Sequence, residues 1–136
     1  MKKREQGFTL LEIMIVVTII SLLMAAAIYN MMPSVDVAKK TRIVADIGSI
    51  RTMLLSYQGM NGFYPTTDQG LQALVVRPES EPIPNRWTQM MSAIPTDPWG
   101  KPYVYRCPGN KNPNGYDVYS AGPDRIPDTA DDDWGQ

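Results

Sequence analysis

Five aspartates, Asp124, Asp128, Asp131, Asp132 and Asp133, crowd into ten residues near the C-terminus, with Arg125 as the only cation among them. Carboxylates this dense repel one another unless a cation or solvent lies between them. A hard divalent ion takes ligands of this kind: calcium accepts roughly six to eight oxygens from carboxylates, backbone carbonyls and water, in flexible geometry. The spacing is not that of an EF-hand, whose acids alternate before a Gly. A solvated acidic tail is the plain alternative reading. Against it, Trp134 follows the acids and a strand-like run ends at Tyr119 before them, which predicts a loop tied down at both ends. The chain has no His. Without imidazole the donor set suits calcium better than zinc. Its one cysteine, Cys107, has no base to activate it, and no Ser or Asp sits in a nucleophile motif, so catalysis is not expected.

Glu12 occupies the opposite setting. From Phe8 to Ile28 it is the only charged residue, with Thr9, Thr18 and Ser21 the only other polar ones. An apolar run of this length spans a bilayer as a helix. A charge at membrane depth costs about 3 kcal/mol on insertion scales, so an acid there implies a counter-charge. No Lys or Arg lies between Phe8 and Met32 to supply it. One candidate is the α-amino group exposed at Phe8 if the chain is cut after Gly7, offered by a neighbouring copy. That pairing makes the chain a filament subunit.

These groups need elements to position them. The chain has 136 residues; beyond a leader and a span, one small domain remains. We divide it into a leader over 1–7, a membrane or filament-core helix over 8–32 and a globular domain over 33–136. Pro33 predicts a kink or short break in the first helix. Past it, Ile43, Ile47, Ile50, Leu54 and Tyr57 recur at helical period and predict a core stripe, with Gly59 and Gly62 ending the helix. Thr67 or Asp68 is the expected N-cap of one short helix, and the proline-rich stretch 77–84 reads as a surface loop. Asp97-Pro98-Trp99-Gly100 is turn chemistry anchored by Trp99. Tyr103 to Cys107 and Tyr116 to Tyr119 read as strands, joined by a polar Gly/Pro/Asn loop. Two or three antiparallel strands lying on the helix are expected, an α+β fold.

Net charge is −1; without the leader's three basic and one acidic residue, 10 basic and 13 acidic residues remain. With no basic stripe, no nucleic-acid partner is expected. Lys2, Lys3 and Arg4 before the apolar run place the leader in the cytoplasm and the domain outside it. A lone Cys107 allows no internal disulfide.

The Gly7/Phe8-Thr9-Leu10-Leu11-Glu12 run after a basic leader resembles the class III signal of type IV pilins and type II secretion pseudopilins. Tyr64 to Leu74, Asp97-Pro98-Trp99-Gly100 and Ser120-Ala121-Gly122-Pro123-Asp124 resemble the major pseudopilins of type II secretion. The resemblance implies a type IV pilin-like fold and a helical homopolymer. It implies cleavage by a prepilin peptidase after Gly7, N-methylation of Phe8, and Glu12 as the assembly residue. The implied setting is the inner membrane before assembly, with the domain in the periplasm and the minor pseudopilins and inner-membrane assembly platform as partners. It also implies calcium, held by the carboxylates of Asp124, Asp131 and Asp132 and the carbonyls of Ala121 and Thr129, in place of the disulfide that many adhesive pilins carry. Asp128 and Asp133 stay open as further ligands. One departure is plain: major pseudopilins usually carry a Pro in the membrane helix near the position of Tyr29, and here the first Pro is Pro33. An ordinary secretory signal, an uncleaved anchor, a type IV pilin of a surface appendage and a monomeric membrane-anchored calcium-binding module are the alternatives.

Overall fold

The computed structural model describes residues 8–136, the side chains of 30–34 excepted. The leader through Gly7 lies outside the described residues. The element order is α1 (Leu10–Asn61), a 3₁₀ helix (Leu71–Leu74), β1 (Val104–Arg106) and β2 (Asp117–Tyr119). The chain divides into two units between Ala38 and Lys39.

In the first unit, Leu10–Tyr29 has mean hydropathy 2.6 and none of it is buried, so it is long and apolar enough to cross a membrane. The expected break at Pro33 is absent, because α1 is helical throughout. Proline removes one backbone donor, and the helix continues on either side of it.

In the second unit the core stripe is as the periodicity predicts. Ile43, Ile47, Ile50, Leu54 and Tyr57 are all fully buried. Leu71, Leu74, Tyr103, Tyr105 and Val118 join them in one cluster. α1 ends one turn later than Gly59 would have it. Gly62 takes φ 85° and its N–H donates to the Gln58 carbonyl at 2.7 Å, a left-handed cap that glycine adopts without a Cβ penalty. Gly59 lies inside the helix.

The short helix differs from expectation at its start. Its N-cap is Gly70, with no side-chain cap bond. Thr67 is committed elsewhere: its hydroxyl donates to the Cys107 carbonyl at 3.0 Å and accepts from the Cys107 N–H at 2.9 Å. That clasp joins residues 40 positions apart. Residues 77–84 form no regular element, and Gln69 Nε2 donates to the carbonyls of Ser80 and Pro82 to hold them.

β1 and β2 pair antiparallel, Val104 with Tyr119, Tyr105 with Val118 and Arg106 with Asp117. Both are a residue or two shorter than their apolar runs. The loop between them is ordered by Asp117, whose Oδ2 and Oδ1 accept from the N–H groups of Lys111 and Asn112. Burial at Tyr103 and Tyr105 carries the hydroxyls toward fixed acceptors: Asp46 Oδ2 at 2.8 Å and the Pro65 carbonyl at 2.7 Å.

Candidate functional site

Beyond β2 the chain turns through the aspartate-rich segment and returns. Ser120 and Asp133 form an isolated antiparallel bridge, with N–H···O distances of 2.8 and 3.0 Å. Trp134 then stacks on Tyr119 at 4.3 Å between ring centroids. Its carbonyl accepts from Arg51 on α1, and the Lys111 ammonium lies 3.5 Å over its ring centroid. The loop is tied down at both ends, as the positions of Tyr119 and Trp134 predict. Left-handed backbone at Gly122, Arg125 and Asp128 closes it.

Within the loop the five acids separate by partner. Asp128 makes a two-pronged ion pair with Arg106, 2.7 Å at each oxygen, and accepts from the Tyr119 hydroxyl at 3.0 Å. The guanidinium bonds hold its carboxyl below the usual carboxylate value. Asp128 thus braces the loop against β1. Asp133 Oδ1 caps the Gly135 N–H, so both acids left open by the sequence have protein partners. Asp131 is exposed and accepts from the Thr129 hydroxyl at 2.6 Å and the Asp124 N–H at 3.2 Å; the Thr129 bond leads in holding its pKa down. Asp124 Oδ1 accepts from Ile126 N–H. Asp132 Oδ2 accepts from Asp128 N–H, but its Oδ1 is buried with no hydrogen-bond partner.

An orphaned buried carboxylate oxygen is costly. A cation at Asp132 would relieve it. Gly122 has the same bearing: a Cβ added there would come within 2.8 Å of Asp131 Oδ2 and closer still to the Asp131 carbonyl oxygen. Only the bare glycine lets the start of the loop lie against its end. Ala121, beside it, is buried. Among the described residues no three acidic, Cys or His side chains converge into a preformed metal cluster. A hard ion here would have to draw on backbone carbonyls as well as carboxylates.

At the other end of the chain, Phe8 is exposed and Glu12 falls in the first turn of α1. The Glu12 N–H donates to Thr9 Oγ1 at 3.2 Å. Thr9 is thus the N-cap and Glu12 the third helical residue, where an acid is favoured by the positive end of the helix dipole. The Thr-x-x-Glu spacing is itself a capping-box signature, and it was legible in the sequence beside the apolar run.

The family described as type II secretion system (T2SS), protein G matches residues 30–134. This chain belongs to that family. The prokaryotic N-terminal methylation motif matches residues 2–28, across the expected cleavage site and Glu12. Type II secretion system core protein G of Pseudomonas aeruginosa is 43% identical over 98% of this chain and 94% of its own length. The protein of that name from Dickeya chrysanthemi is 42% identical over 97% of this chain and 86% of its own length. The crystal structure of the major pseudopilin from the type 2 secretion system of enterohaemorrhagic Escherichia coli superposes with a TM-score of 0.68 at 37% identity. It covers 76% of this chain and 90% of that one. The fold is the pilin-like α+β arrangement of a long N-terminal helix and a small antiparallel sheet.

The buried tyrosines of the second unit predict its alkaline limit. Burial first, and the Asp128 carboxylate second, push Tyr119 up to about 12 from its ordinary 10.0. Burial also raises Tyr103 and Tyr105. A group with a raised folded-state pKa contributes its full stability below its unfolded value and loses it as pH climbs toward the folded one. The domain should therefore hold its melting temperature to about pH 10 and lose it steeply between there and pH 12. Thermal melts across that window check this, and Tyr119→Phe should make the decline shallower. A flat profile to pH 12 would contradict the assignment.

Proposed function

We infer that this chain is the major structural subunit of the type II secretion pseudopilus, polymerising in the periplasm so that filament growth drives exoproteins through the outer membrane. The observation that carries this is the surface of Leu10–Tyr29: apolar, wholly exposed, and led by Glu12 in its first turn. Such a surface is stable in a bilayer or in a bundle of like helices, and a lone acid at its start sets which neighbour fits. Before assembly the helix lies in the inner membrane as a single span with the domain in the periplasm, the orientation that Lys2, Lys3 and Arg4 favour. Prepilin peptidase, the minor pseudopilins and the inner-membrane assembly platform are the partners of this reading. The mature amine of Phe8 on one copy pairs with Glu12 on the next.

Calcium belongs to the same proposal, held by Asp124, Asp131, Asp132 and the carbonyls of Ala121 and Thr129. When bound it supplies positive charge among carboxylates that otherwise repel. The unpartnered Oδ1 of Asp132 supports this, as does the absence of a second cysteine for a disulfide.

Intact mass of the membrane-extracted protein tests the filament reading directly. The expected result is loss of residues 1–7 and one methyl group on Phe8. An N-terminus at Met1, or at Ile28 after ordinary signal cleavage, would overturn it.

A further inference from the structure

Asp97 is almost fully buried, and no cation pairs with it among the described residues. Its Oδ1 accepts from the N–H groups of Trp99 at 3.0 Å and Lys101 at 2.7 Å. The Asp97 N–H in turn donates to the Lys101 carbonyl. These bonds fix the carboxylate to the 97–101 turn. Its second oxygen reaches across the fold: Oδ2 accepts from the hydroxyl of fully buried Ser120 at 2.7 Å. Ser120 Oγ then accepts from the Gly122 N–H at 3.2 Å, while the Ser120 backbone holds Asp133 at the far end of the loop. One buried chain of hydrogen bonds therefore runs from the 97–101 turn to both feet of the aspartate loop.

We propose that Asp97 is a positioning residue for the cation loop, acting through Ser120 to fix the Gly122 turn that carries the Ala121 carbonyl and the Asp124 carboxylate. This rests on the calcium reading above. Asp97 touches no ion itself. A buried carboxylate with three donors is held more firmly than an exposed loop can hold itself. Asp128 braces the far side of the loop against Arg106, but the bonds among the loop residues are short-range: Ile126 to Asp124, Thr129 to Asp131, Asp128 to Asp132. Such bonds shape the turn locally without placing it on the domain.

The test uses the full chain in detergent, with calcium as the probe and magnesium and chelator as comparisons. Parent protein should gain melting temperature with millimolar calcium, less with magnesium, and lose it with chelator, by mass action on the folded state. Ser120→Ala and Asp97→Asn should each weaken calcium affinity by roughly tenfold, the effect of one buried hydrogen bond. Thr67→Ala removes the Thr67–Cys107 clasp, away from the loop. It should lower the calcium-free melting temperature yet leave calcium affinity within about twofold. Hydrogen exchange without calcium adds a readout independent of the ion: the Gly122 and Asp133 amides should exchange faster in Ser120→Ala than in Thr67→Ala. Parent protein indifferent to calcium overturns the calcium reading, and the proposal with it. Parent protein that binds, with both Ser120→Ala and Asp97→Asn binding equally well, overturns the positioning role alone.

Discussion

Glu12→Ala should insert into the membrane at least as well as the parent and yet fail to assemble filaments efficiently. Removing the one charge from Phe8 to Ile28 lowers the cost of insertion, which runs to about 3 kcal/mol for an acid at membrane depth. The apolar surface that drives bundling is untouched. On the proposed reading, what goes is the Phe8–Glu12 pairing that selects one register, and losing about 1.4 kcal/mol at each subunit contact would lower elongation affinity tenfold. The helix N-terminus offers a rival account, since Thr9 caps α1 and Glu12 is the third helical residue, where a capping box takes either Glu or Gln. Glu12→Gln separates the two, because the amide keeps much of the capping geometry and carries no charge. Sedimented polymer from cells overproducing each variant is the measurement. Filaments from Glu12→Gln but not from Glu12→Ala would assign the residue to helix capping, and normal filaments from both would end the pairing hypothesis.

Ile47→Ala should destabilise the domain by about 2–5 kcal/mol, the range for truncating a fully buried isoleucine. Ile47 is wholly buried within the core stripe. It also supports the C-terminal segment, because a Cβ at Gly135 would meet the Ile47 side chain at 3.1 Å. The cavity therefore opens beneath the chain that closes the aspartate loop. Small domains have a total stability of only about 5–15 kcal/mol, so the variant should melt more than about 10 °C lower. Val44, exposed on the same helix, is the control. Val44→Ala should change stability by no more than about 0.5 kcal/mol. Denaturant unfolding of both variants, at unchanged slope, decides it. Equal losses would mean that the stripe is not the core of the domain.

The apolar stripe, the exposed N-terminal helix and the acid at its start were legible because each is written in local sequence at a fixed period. Helical spacing alone places Ile43, Ile47, Ile50, Leu54 and Tyr57 on one face, and only one face of a helix can be buried against a small sheet. Composition alone marks Leu10–Tyr29 as apolar, and the Ser120-Ala121-Gly122-Pro123-Asp124 run marks the start of the loop. What those local patterns leave undecided is which partner a polar side chain takes when several are chemically equivalent. Thr67 had the composition of a helix cap, and the fold gave its hydroxyl to Cys107, 40 residues away. Asp128 had the composition of an ion ligand, and Arg106, 22 residues away, took both its oxygens. Asp97 read as an ordinary turn residue beside Trp99, until the return of the chain after β2 set Ser120 against it across 23 residues. Each of these bonds depends on which segments the core brings within 3 Å of one another. A hydrogen bond reaches little beyond about 3.2 Å, so no local pattern of residue types can specify it and only the packed tertiary structure does.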